Sequence, residues 1–398
     1  MRRGRFRNAQ GLGPETRLTP VRARAAGPLG RAESKGVFAV IERFDPLKGE
    51  RLRILDEEGR TAPGLDPGLP DAALRALYER MVRTRAADAK ALKLQRQGRL
   101  GTYAPSLGHE ATQVGLASAM APEDWLFPYF RDLGAYITLG YPLADYYHFW
   151  MGNEAGLRTP DGLNVFPIAI PVASQIPHAV GAAMALKYRR VRAAVVTTFG
   201  DGGTSEGDFH EGLNFAGVFR TPNVFVCVNN QFAISVPRSH QTAAPTLAQK
   251  AISYGFPGVQ IDGNDVLAVF ATARDALAAA RDGGGPTLIE AYTYRMSDHT
   301  TSDDASRYRS KEEVQEWERR DPILRFRRYL AAKGLWDETA ERQIQAAAAD
   351  FVEKAVADAE TRPAATPDEV FASTYATMPP DLEAQLAELK SSLPEGRR

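Results

Sequence analysis

The chain of 398 residues is long enough for one large α/β domain with appendages or for two ordinary domains, and its 44% hydrophobic content allows a sizeable core. Lysine plus arginine and aspartate plus glutamate stand at 49 each, so no global charge drives the chain toward nucleic acid or a membrane surface. No apolar run approaches the ~20 residues of a membrane helix. The single cysteine, Cys227, excludes an intramolecular disulfide and reads as a core residue in a reducing, cytoplasmic compartment.

Residues 1–36 read as a disordered basic extension, with eight arginines up to Arg31 against one acid, Glu15. Their Pro and Gly content and lack of amphipathic pattern argue against a targeting helix. Residues 37–70 form an irregular N-terminal arm and linker, with short β-like runs at 37–41 and 51–55 and Pro/Gly punctuation over 63–70. Asp71 is expected to cap a long helix carrying Leu74, Leu77, Tyr78, Met81 and Val82 at helical spacing and ended by Gly98. An irregular loop with His109 leads to a new helix from Glu110. The aromatic cluster 146–150 suits core packing, and 176–187 reads as a small-residue helix.

Beyond residue 230, the pattern predicts a helix over 247–254, a strand over 258–262 and an amphipathic helix over 265–281 stopped by Gly283-Gly284-Gly285. A strand over 287–294 and an irregular polar loop over 295–310 follow. Residues 311–398 are expected to form a helical C-terminal region packing on the domain or on a partner. Strands alternating with helices over 71–310 imply an α/β domain built on a doubly wound parallel sheet.

The stretch 199–230 carries the chemistry. Residues 193–199 read as a buried parallel strand, short, apolar and rich in Val and Thr. Gly200-Asp201-Gly202-Gly203-Thr204-Ser205-Glu206-Gly207 then allows a tight turn and close backbone approach to a ligand. Asp201 offers the hard carboxylate that Mg²⁺ prefers, and Asn230, 29 residues on, returns an amide oxygen at the end of the next strand. Parallel strands put both ends on one carboxyl edge, where α/β folds bind ligands, and the turn and helix N-terminus favour a phosphate. A metal–diphosphate site follows.

Gly-Asp-Gly followed by Asn229-Asn230 resembles the thiamine-diphosphate motif. The longer wording, together with Asn214-Phe215-Ala216 and Ala233-Ile234-Ser235, resembles the α subunit of heterotetrameric 2-oxo acid dehydrogenases of the pyruvate and branched-chain type. The resemblance runs from about residue 70 to the C-terminus and implies thiamine diphosphate and Mg²⁺ as cofactors, in the thiamine-diphosphate-binding fold. It places Asp201, the Asn230 amide and the Phe232 carbonyl on the metal. Arg131 and the backbone of Gly202 and Gly203 take the diphosphate, and the backbone at Ile170 and Val172 grips the aminopyrimidine ring. His299 becomes a catalytic residue that reaches the cofactor. The position before Arg131 is usually Tyr in the family; here it is Phe130, with Tyr129 one residue earlier and expected on the opposite face.

The implied activity is oxidative decarboxylation of a 2-oxo acid with acyl transfer to a lipoyl group. Pyruvate is slightly favoured by residues 98–105, while 205–207 and 299–304 are shared with the branched-chain type and an acetoin-cleaving relative is a further alternative. The glutamate that activates such a cofactor is expected on a β subunit, so the resemblance implies an α₂β₂ assembly working with a lipoyl acyltransferase. Thr300 and Ser310 occupy positions that are regulatory phosphoserines in eukaryotic members, and phosphorylation is not expected here. From other classes, a cofactor-holding assembly subunit without catalysis is opposed by Asp201, Asn230 and His299. A dinucleotide-binding dehydrogenase is opposed by Ser205 where its third glycine belongs.

Overall fold

In the computed structural model, which describes residues 41–372 and 374–394, six strands form one parallel sheet: β1 (Arg51–Leu52), β2 (Trp125–Phe127), β3 (Val195–Gly200), β4 (Asn223–Asn229), β7 (Gly258–Asp262) and β8 (Thr287–Tyr292). Their order across the sheet is β1-β7-β8-β4-β3-β2. Two further short strands, β5 (Phe232–Ala233) and β6 (Val236–Pro237), make an antiparallel hairpin of their own.

β4 shows why the sheet is wound on both faces. Val224 and Val226 join the large core with Leu126, Ile289 and the helix Val266–Arg281, whereas Phe225 and Cys227 join a second core with Phe199, Phe209 and Ile176. Alternate side chains of one strand thus enter two apolar layers. Both layers need cover, and the helices Glu110–Ala119 and Val266–Arg281 supply it on one face, Gln175–Tyr188 and Gly207–Phe219 on the other. Gly115 lets the first pair close up, since a Cβ there would stand 2.9 Å from Val269.

Buried acids tie loops to this frame. Asp265 caps the helix Val266–Arg281 through the amides of Leu267 and Ala268, and its other oxygen accepts from the amides of Ile54 and Leu55 at 2.7 and 2.6 Å. That second pair anchors the N-terminal arm, whose Arg51–Leu52 extends the sheet beside β7. Glu290 on β8 accepts from Asn229 Nδ2 and from the amides of Leu247 and Ala248. Asn229 is therefore a structural partner of β8, and only its neighbour Asn230 is left for the sheet edge.

Several local expectations shift. The helix Asp71–Arg96 starts after Pro70 with no side-chain cap, so Asp71 acts only as an acid in the first turn. Residues 232–241 form the β5–β6 hairpin and the short helix Arg238–Gln241, and 248–254 are a 3₁₀ helix. The run 311–334 is two helices, Lys311–Glu318 and Pro322–Ala332, divided at Pro322, which has no backbone N–H to continue the first. The helix Glu338–Thr361 packs on Asp71–Arg96 and on Leu143–Trp150. The basic extension 1–36 and most of the β-like run at 37–41 lie outside the described residues.

Candidate functional site

Four adjacent parallel strands, β2, β3, β4 and β8, end on the same edge, and their following residues surround one cavity of about 400 Å³. β2 leads to Tyr129, Phe130 and Arg131, β3 to Asp201, β4 to Asn230 and β8 to Arg295 and His299. All of the residues named above for cofactor, metal or catalysis (Phe130, Arg131, Ile170, Val172, Asp201, Gly202, Gly203, Asn230, Phe232 and His299) line this cavity.

At its floor, β3 runs into a 3₁₀ turn, Asp201–Ser205, before the helix Gly207–Phe219. None of Gly200, Gly202 and Gly203 has a positive φ, so the turn itself does not demand glycine. Gly202 is needed for a different reason: a Cβ there would lie 2.8 Å from the Ala233 methyl on the β5–β6 hairpin. Asp201 is 1% exposed; one carboxylate oxygen accepts from Gln241 Nε2 at 2.7 Å and the other has no partner. Burial raises its pKa, opposed by the Gln241 bond and by nearby backbone N–H groups, that of Asn230 among them. The Asn230 side-chain oxygen accepts from the Phe232 amide at 3.3 Å, and the Phe232 carbonyl accepts from Arg295 Nη1 at 3.1 Å. Gln175 lends its amide N–H to the Thr198 carbonyl and leaves its buried Oε1 unpaired.

Two guanidiniums face His299. Arg131 Nη2 reaches its Nδ1 at 3.2 Å and its carbonyl at 2.7 Å, and Arg295 Nη1 approaches the same Nδ1 at 3.4 Å. Guanidiniums only donate, so Nδ1 must accept and the ring proton sits on Nε2. Burial, then Arg131, then Arg295 push the His299 pKa down to about 3, and the ring is neutral at pH 7. The loop is held by a chain of bonds: His299 N–H donates to Asp303 at 2.8 Å, the Tyr308 hydroxyl donates to the same carboxylate, and Arg295 Nη2 donates to Tyr308 at 2.8 Å and to the Ile234 carbonyl at 2.6 Å.

Phe130 stands edge-on to His299, ring centroids 5.9 Å apart. Tyr129 does not turn to the opposite face. It bridges Ala169 at the strand end, but the chain turns at 130–131, so the alternation of an extended segment stops there; the two rings stand 5.3 Å apart and both residues line the cavity. Strain collects around the same site: Ala173, Gln231 and Ile234 have φ of 68°, 76° and 55°. For a β-branched residue such as Ile234 that conformation is costly and marks a functional region.

Residues 78–368 match the sequence family described as dehydrogenase E1 component. The chain belongs to that family. It is 49% identical over 328 residues to the 3-methyl-2-oxobutanoate dehydrogenase subunit alpha of Mycobacterium tuberculosis, covering 82% of this chain and 89% of the relative. It is 44% identical over 341 residues to the pyruvate dehydrogenase E1 component subunit alpha of Acholeplasma laidlawii, covering 85% and 99%. The corresponding protein of Staphylococcus epidermidis is also 44% identical, over 340 residues, covering 85% and 92%.

Within this family member, Arg295, Gln241, Gln175 and Tyr129 are site residues for which the sequence alone gave no role. Arg295 could have been suspected from its place just past β8, at the same edge as Asp201. Gln241 carried no signal, because the hairpin that returns it to Asp201 spans only two short strands. His109 is, as expected, a loop residue at the start of the helix Glu110–Ala119; it is fully buried with neither ring nitrogen paired, and burial, then Arg131 and Arg295, push its pKa well below the usual imidazole value.

Proposed function

We propose that this chain is the cofactor-binding alpha subunit of a 2-oxo acid dehydrogenase and that its cavity is one half of a thiamine diphosphate site. The observation that carries the reading is the convergence of the motif residues on one cavity whose floor holds a buried carboxylate with an unpaired oxygen. The residues present fit the group. Asp201 and Gln175 each keep a buried acceptor oxygen without a partner, which suits a cation, and Arg131 lines the same cavity with a guanidinium that suits phosphate.

Asp201, the Asn230 amide oxygen and the Phe232 carbonyl would hold Mg²⁺, sharing the last with Arg295. Arg131 and the backbone at Gly202 and Gly203 would take the diphosphate, and the backbone of Ile170 and Val172 the aminopyrimidine. Thiamine diphosphate supplies the carbon nucleophile and electron sink that loss of CO₂ from a 2-oxo acid needs. The chain's own contribution at the reacting end is His299, which offers an Nε2–H from a neutral ring oriented by two guanidiniums. Such a donor stabilises developing negative charge without itself changing charge. Loss of Arg131 from His299 to a phosphate would leave Arg295 and Asp303 to hold the loop.

The exposed apolar side chains Ile170, Val172 and Ile234 belong to residues that line the cavity. These side chains support a β subunit closing over the site and bringing the activating glutamate, in an α₂β₂ assembly that passes its acyl group to a lipoyl acyltransferase. The relatives are named for pyruvate and 3-methyl-2-oxobutanoate, which supports a 2-oxo acid as the substrate, and a cytoplasmic location is part of the same reading. Calorimetric titration of thiamine diphosphate with Mg²⁺ into the co-purified α and β chains, followed by turnover with pyruvate and with 2-oxoisovalerate, tests the reading. Saturable binding and decarboxylation of one acid support it; an assembly that binds no cofactor overturns it.

A further inference from the structure

Resting on the cofactor reading above, we propose that Asp88, on the helix Asp71–Arg96, is a positioning residue that seats Arg131 and the His299 loop by clamping the chain between Tyr103 and Ser106. Residues 97–109, all among the described residues, run as turns and irregular chain, so this stretch has no backbone ladder to hold it. One Asp88 carboxylate oxygen does so instead. It accepts from the Ser106 amide at 2.7 Å, the Tyr103 hydroxyl at 2.8 Å and the Ser106 hydroxyl at 3.0 Å. The carboxylate is buried on a helix that Ala87, Ala91 and Leu94, all fully buried, fix in the core. Burial raises its pKa, opposed by these three donors and by the charge of Arg131.

The clamped stretch holds two groups of the site. The Pro105 carbonyl accepts from Arg131 Nη1, while Arg131 Nη2 reaches the His299 carbonyl at 2.7 Å, so one guanidinium ties the clamped chain to the His299 loop. Tyr103 pairs with Thr301, two residues past His299. Its amide donates to the Thr301 hydroxyl at 3.2 Å, and its carbonyl accepts from the Thr301 amide at 3.0 Å. Thr102 and Ala104, on either side of Tyr103, line the cavity, and the Tyr103 ring stands edge-on to Trp150 with centroids 5.8 Å apart. Asp88 itself acts from outside the cavity lining. Through the chain it clamps, it supports both the cation that would take the diphosphate and the imidazole at the reacting end, groups that catalysis needs held to fractions of an ångström.

The test compares the wild-type α/β assembly with Asp88→Ala, Asp88→Asn and the double variant Tyr103→Phe, Ser106→Ala. Each is titrated with thiamine diphosphate and Mg²⁺, and protease nicking of residues 297–310 is followed in the cofactor-free assembly. Alanine at 88 is expected to weaken cofactor binding at least about tenfold and to speed nicking roughly fivefold or more. Asparagine keeps an acceptor oxygen of the same reach and should restore most of both. The double variant keeps Asp88 but removes two of its donors, and should move both readouts the same way by about threefold, which decides the matter if alanine fails to fold. Variants that melt lower yet keep wild-type affinity and nicking show an acid that serves the fold alone, and overturn the proposal. Asparagine no better than alanine overturns the role of the acceptor oxygen. Absence of binding by the wild type refutes the cofactor reading, and the nicking rates then still support or overturn the hold of Asp88 on the His299 loop.

Discussion

Replacing Arg295 with Met should loosen the whole far wall of the site. The Arg295 side chain is fully buried and donates to the Phe232 carbonyl at 3.1 Å, the Ile234 carbonyl at 2.6 Å and the Tyr308 hydroxyl at 2.8 Å, besides facing His299. Hydrogen bonds from a charged donor are worth about 1.5–3 kcal/mol each in mutational series, so losing the two carbonyl bonds alone costs roughly 3–6 kcal/mol. The change also removes a desolvated cation, whose burial already lowers its pKa. That relief brings the expected net loss to about 2–4 kcal/mol. Lysine should recover little, because a single ammonium cannot fork between both carbonyls as the guanidinium does.

Urea unfolding of the variant should show a lower midpoint at an unchanged slope. Protease should nick residues 297–310 faster, and the His299 pKa, pushed down to about 3 in part by this guanidinium, should rise. An unchanged midpoint together with an unchanged His299 titration would refute the reasoning.

Asp201→Asn keeps the shape and the Gln241 contact but removes the buried charge. Melting without cofactor should be unchanged or higher, while binding of thiamine diphosphate with Mg²⁺ should fall at least about tenfold by calorimetry, since one hard anionic ligand is lost. Asp132, buried beside Thr198 and the Tyr129 amide, has its pKa pushed up to about 7 by burial. The folded state therefore holds a proton that the unfolded chain releases near pH 4, and stability falls as pH rises from about 4 through 7. The slope from this group is at most about 1.4 kcal/mol per pH unit. Asp132→Asn should flatten that decline, as seen by subtracting the pH profiles of chemical unfolding. In Gly202→Ala, the added methyl meets Ala233 at 2.8 Å and must push the β5–β6 hairpin outward. A loss of about 1–3 kcal/mol is expected, with weaker cofactor binding, and wild-type stability would contradict it.

Sheet strands and the site motif were legible in the sequence because they depend on local pattern. A short apolar run rich in β-branched residues ahead of Gly-Asp-Gly reads as a parallel strand feeding a turn, and β3 falls there, as β7 and β8 fall close to the other short apolar runs. What was not legible depends on groups distant in sequence. Asn229 looked like a twin of Asn230 until Glu290, 61 residues away, was seen to claim its amide. The face of Tyr129 was misjudged because a strand was extended one residue too far, into a turn. The hairpin at 232–237 offers too few residues for alternation to register, yet it brings Gln241 back to Asp201 and carries the strained Ile234. Arg295 sits in a polar loop with no pattern of its own; only the cavity reveals that it links hairpin, loop and His299.

The central claim, that this cavity is a cofactor site completed by a second subunit, is tested most directly by turnover of the purified chain alone against the α/β assembly. Both would be given thiamine diphosphate, Mg²⁺, an artificial electron acceptor and either pyruvate or 2-oxoisovalerate. The expected result is decarboxylation by the assembly and none by the chain alone. Full turnover by the chain alone, or an assembly that is inert with both acids while folded and cofactor-loaded, would contradict the claim.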